Sequence, residues 1–135
     1  MVSAKIIAIG LCTGILIGLG WWAFFDGVVY APDAFPWSHI VPALGSVLAL
    51  IMLNLVTIEQ LKQLPAVRVW TFISLTLGCI CVGGAIWITA AEYPPALVDN
   101  WPGVSIIVQT MLVLIAGVLL FVGRSSMDSN KLYSM

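Results

Sequence analysis

Four uncharged apolar stretches, Ile6 to Phe25, Ile40 to Ile58, Val69 to Ala91 and Gly103 to Gly123, alternate along the chain with short polar segments. Each comes close to or exceeds the roughly 20 apolar residues that a helix needs to cross about 30 Å of hydrocarbon. The pattern predicts an all-α membrane protein, an antiparallel four-helix transmembrane bundle. Its helices are expected at about 6–28, 39–58, 68–91 and 102–123, with a polar cytoplasmic tail over 124–135 that is extended or only partly ordered. The connecting segments are too short to fold alone, so residues 1–135 form a single four-span membrane domain whose core is the bundle itself.

Proline and aromatic residues punctuate the connections. Tyr30-Ala31-Pro32, Phe35-Pro36-Trp37, Tyr93-Pro94-Pro95 and Asn100-Trp101-Pro102 stop or start helices where proline removes a donor and restricts its predecessor. Trp and Tyr favour the headgroup region, where an apolar ring and a polar tip each find their medium. Trp21, Trp22, Trp37, Trp87 and Trp101 are therefore expected at one boundary of the membrane and Trp70 at the other.

Composition agrees with this reading and narrows it. Of 135 residues 61% are hydrophobic and 8% charged, against about 25% charged in an ordinary soluble domain. No room remains for a soluble catalytic domain, and no basic patch suits nucleic acid. The first apolar run is longer than the 7–15 residues of a signal peptide, and no small-x-small cleavage site follows it. Cys12, Cys79 and Cys81 all fall inside spans; Cys79 and Cys81, one residue apart, make no Cys-x-x-Cys motif, and apolar packing is their expected role. No cofactor and no metal ligand set is expected.

Charge sorts by side once the spans are drawn. Lys5, Lys62, Arg68, Arg124 and Lys131 share one side; Asp26, Asp33, Glu92, Asp99 and the sole histidine, His39, share the other. Short loops rich in Lys and Arg stay in the cytoplasm, which puts both termini there. Arg68 and Arg124, at the cytoplasmic ends of the third and fourth helices, are expected to snorkel to phosphate headgroups.

Few side chains are candidates for chemistry. Asp26 lies one helical turn after Trp22. It either caps the end of the first span as an interfacial acid, or sits a turn inside a helix reaching Tyr30 and faces a partner, for which His39 is the candidate. Neither Asp26 nor His39 has an orienting group in sequence reach, so no catalytic role is expected. Asn54 and Gln109, the only amides inside spans, should turn inward and hydrogen-bond. Gly10, Gly14 and Gly18 recur every four residues and stack into a groove on one face of the first helix. Such grooves seat a neighbouring helix, here one of the same chain or one of another subunit.

Gly14-Ile15-Leu16-Ile17-Gly18-Leu19-Gly20-Trp21-Trp22, with Asp26 four residues on, resembles the transmembrane protein 50 family, which includes the fungal vacuolar protein sorting protein 68. Met52-Leu53-Asn54, Ala66-Val67-Arg68-Val69-Trp70-Thr71-Phe72, and Pro102-Gly103 through Gln109 to Phe121-Val122-Gly123-Arg124 agree with it, in order, over roughly Gly14 to Arg124. The amino-terminal segment and the loop between the second and third spans are shorter than is usual in that family. The resemblance implies a non-enzymatic protein of endosomal and secretory membranes, an accessory subunit or trafficking and assembly factor in endosomal and vacuolar protein sorting. Its implied partners are the lipid bilayer and other integral membrane proteins, among them a second small four-span protein.

The alternative is a small transporter or channel subunit. Small multidrug exporters have four spans and this length, but they need a carboxylate deep in the first helix, and Ile6 to Phe25 holds none. A packed, dry centre is expected, and a wet, polar cavity around Asn54 and Gln109 would favour the transporter.

Overall fold

The computed structural model describes residues 4–94 and 99–133, with side chains for all of these except 34 and 127–133. Pro95 and the Lys131 side chain lie outside the described residues. Helix α1 runs Ala4–Tyr30, α2 Ile40–Asn54, α3 Ile58–Gln63, α4 Pro65–Glu92 and α5 Trp101–Tyr133. Among the described residues four helices are long and apolar enough to cross a membrane: α1, α2 with the turn before it, α4 and most of α5.

The ends follow local chemistry. Pro32 keeps Ala31 out of the helical region, at φ -141° and ψ 69°, which stops α1 at Tyr30. Two single 3-10 turns, Pro32–Ala34 and Trp37–His39, carry the chain to α2. Thr57 opens α3 with a capping box: its hydroxyl accepts from the Gln60 amide at 3.3 Å, and the Gln60 side chain accepts from the Thr57 amide at 3.1 Å. Pro65 then sits in the first turn of α4, where its missing N–H is not needed.

Two expected boundaries are corrected. The second span stops at Asn54 rather than continuing to Ile58. There the Leu55 amide bonds to the Met52 carbonyl, three residues back, and the Asn54 side chain donates to the Leu50 carbonyl at 3.0 Å, so the last turn tightens and closes. The polar tail, expected to be extended, continues α5 as helix to Tyr133. Nothing between Arg124 and Tyr133 breaks a helix, since the segment holds neither proline nor glycine.

Packing is not that of four equivalent helices around a square. Helix α5 is the hub, lying against α1, α2 and α4. Helices α2 and α4 also pack on each other, whereas α1 is attached chiefly through α5. Small residues allow the close approaches. A Cβ at Gly27 would overlap the Ser105 side chain, and one at Gly78 would press on Leu114. Phe24, Ala43, Ala85 and Ile106 form the apolar core. The buried hydroxyls of Ser74 and Thr110 are satisfied within their own helices, by the Trp70 and Ile106 carbonyls, whereas the buried Thr13 hydroxyl has no partner among the described residues.

Candidate functional site

The acidic end of the bundle gathers most of the polar side chains. Asp26, one turn inside the end of α1, accepts from the Trp101 indole N–H at 2.8 Å. Tyr30, the last residue of α1, donates to Asp99 at 2.5 Å, and Asp99 also accepts the Trp101 backbone N–H at 3.1 Å. These three bonds clasp the end of α1 to the start of α5. The Tyr30 hydroxyl, and after it the Trp101 amide, hold the Asp99 carboxyl below the usual aspartate range, because both bonds favour the charged form.

His39 does not pair with Asp26, which corrects one of the two expectations for these residues. Its Nε2 lies 2.6 Å from the Glu92 carboxylate and its Nδ1 3.1 Å from the Tyr93 hydroxyl. The ring is fully buried, edge-on to Phe35 and Tyr93, while the Glu92 side chain is half exposed. A carboxylate only accepts, so Nε2 carries the proton; in the neutral ring Nδ1 then accepts from Tyr93. The chain of bonds is Tyr93 to His39 to Glu92. Burial, with the Glu92 charge second, pushes the Tyr93 phenol up from its ordinary value and keeps it a donor. Orienting groups for His39 thus exist, 53 and 54 residues away, where reading along the chain does not reach. Tyr93 is itself almost fully buried, so this relay presents no accessible nucleophile.

At mid-membrane Gln109 is fully buried, and its contacts are long: 3.4 Å from the Ser46 hydroxyl and 3.5 Å to the Ala43 carbonyl. The void beside it, among Ser46, Ser74, Val113 and Gly117, measures about 10 Å³, room for one water at most. Asn54 is half-buried and donates across to the Gly117 carbonyl of α5 at 3.2 Å.

The basic end is built from carbonyl contacts. Arg68 donates to the Leu61 and Lys62 carbonyls, each at 3.0 Å, and Arg124 donates to the Val56 carbonyl at 2.8 Å. Both side chains thus turn part of their donor set to backbone carbonyls, Arg68 to two in the last turn of α3 and Arg124 to one in the connection between α2 and α3. The Trp70 indole likewise donates to the Met52 carbonyl at 2.8 Å.

Gly10, Gly14 and Gly18 stand on an exposed face of α1, with nothing within 4 Å of where a Cβ would sit. The reading in which a helix of the same chain fills this groove is therefore corrected. Instead α1 meets α5 through Gly20 and Gly27, each with buried neighbours. Trp22 and Trp37 are among the most exposed residues, as suits interfacial anchors, while Trp21 packs edge-on to Phe24. Among the described residues no cluster of His, Cys, Asp and Glu could hold a metal ion.

The family model described as Uncharacterised protein family (UPF0220) matches residues 2–130. The transmembrane protein 50 homolog of Dictyostelium discoideum is 29% identical over 137 residues, covering 85% of this chain and 88% of its own. No solved structure matches the chain. With almost the whole length matched and four helices long and apolar enough to span a bilayer, this multi-pass membrane protein belongs to the transmembrane protein 50 family, UPF0220.

Proposed function

We propose that this chain is a non-enzymatic accessory subunit, a trafficking or assembly factor that works through contacts inside the membrane, in endosomal and vacuolar protein sorting. The observation that carries the reading is the unoccupied groove of Gly10, Gly14 and Gly18 on a helix attached mainly to α5. Helices in lipid gain little from hydrophobicity and associate by close backbone packing, so three stacked small residues suit a partner helix. The fitting partner is another integral membrane protein, a second small four-span protein being the case the family resemblance suggests. The sorting role rests on that resemblance alone.

The partition of charge supports cytoplasmic termini. The small void at mid-membrane supports an assembly role over transport, because a transport path needs deep ionisable groups facing water. The test is purification of the full chain in mild detergent, with identification of the membrane proteins that accompany it. A partner cross-linked through Gly14→Cys supports the proposal. A monomer that moves an ion or solute when reconstituted alone would refute it.

A further inference from the structure

Between the last turns of α1 and the start of α2 the acidic end holds a half-open cup of about 360 Å³. Phe24, Phe25 and Val28 of α1, Phe35 and Trp37 of the connection and Ile40 of α2 wall it. The walls are stiff. Phe24 is buried and meets Trp21, Phe25 and Phe35 with ring centroids 5.4 to 5.8 Å apart, and Phe35 is in turn backed by His39 at 5.3 Å. The His39 ring is held from its far side by Glu92 and Tyr93.

The geometry points to a site for one acyl chain of a phospholipid from the leaflet at the acidic end. Three observations argue for that occupant. The exposed Trp37 is one of its walls, which puts the cup at the level of the headgroup boundary and the upper methylenes of a lipid. All of the wall residues are apolar, so the part of the ligand inside it is hydrocarbon. Along α1 the cup spans only Phe24 to Val28, about 6 Å at 1.5 Å per residue, too short to seat a helix about 10 Å across but wide enough for a hydrocarbon chain. A chain walled on several sides gains more carbon contacts per methylene than one lying on an open helix face, and each contact adds to the attraction. The inference is independent of the groove at Gly14, which lies farther down α1.

The test uses the full chain in phosphatidylcholine vesicles containing a phosphatidylcholine with a diazirine on the upper third of one acyl chain. After photolysis, adducts are mapped by peptide mass. Phe25, Val28 and Phe35 are expected to carry about tenfold more adduct than Ile86, which is exposed near the same end of α4, a preference equal to about 1.4 kcal/mol. Val28→Trp should fill the cup and bring Phe35 labelling down to the Ile86 level, and Ile40→Trp should do the same from the opposite wall. Should either variant fail to fold, the other is read, and the wild-type ratio of Phe35 to Ile86 stands by itself. Equal labelling at Phe35 and Ile86 overturns the inference. So does heavier labelling of the cup by photoreactive cholesterol than by the phospholipid, or a second protein chain cross-linked there.

Discussion

Asp99 ties Tyr30 of α1 to the first turn of α5, and its depressed acidity gives that tie a pH dependence of definite sign. A carboxyl held below its unfolded value stabilises the fold above the ordinary aspartate range, near pH ~4, and that contribution is lost as pH falls through the folded value. Wild type should therefore unfold at a higher temperature than Asp99→Asn at pH 7, and the two should converge as the pH drops below about 4. Thermal unfolding in detergent across that range checks it; a gap that widens towards acid would count against it. The gap should be small, since Asp99 is exposed and its charge is screened by solvent. The two intramembrane amides differ in the same kind of measurement. Asn54→Leu should cost about 1 kcal/mol by losing the 3.2 Å bond to Gly117, and Gln109→Leu should cost less because its contacts are long. That both amides turn inward could be read from the sequence, because hydrocarbon leaves an amide no other outlet. Their partners could not, because 63 or more residues separate each pair. The same limit hid His39 and Glu92: charge sorting placed both at one end but could not say which acid faces the ring.

Spans show in the sequence as runs of apolar residues, so the four spans were legible from the order of apolar and polar positions. Their ends depended on details that hydropathy does not weigh, chiefly the Asn54 amide closing α2 and the Thr57 capping box that starts a separate short helix. Which face of α1 is buried was also hidden. Every face of this helix is apolar, and Gly10, Gly14 and Gly18 carry as strong a packing signal as Gly20 and Gly27. The difference predicts two opposite mutant phenotypes. Gly27→Leu drives a side chain into Ser105 and should lower stability by about 1–3 kcal/mol, seen as a lower unfolding temperature and a smaller folded yield. Gly14→Leu meets open space, so the isolated chain should unfold as wild type does while recovery of a co-purifying partner falls several-fold. Loss of folded monomer in Gly14→Leu would mean that the groove faces its own bundle after all.

The whole molecule has one acidic and one basic end, and orientation in the membrane follows from which end the cell retains. A cysteine placed at Asp99 should resist a membrane-impermeant thiol reagent added from the cytoplasmic side, and one placed at Lys62 should react; the reverse labelling would invert the topology. Helix α5 as hub also sets the order in which the molecule can be assembled. Helix α1 leaves the ribosome before α5, which chiefly holds it, and the stretch from Tyr30 to Trp101 separates them. At about 5–20 residues per second those roughly 70 residues take on the order of 4 to 14 s to synthesise. For that time α1 waits in the bilayer with its Gly20 and Gly27 surface as bare as its Gly14 surface. A chain stalled or truncated before α5 thus displays two open helix faces where the finished protein displays one, a difference that membrane quality control can read.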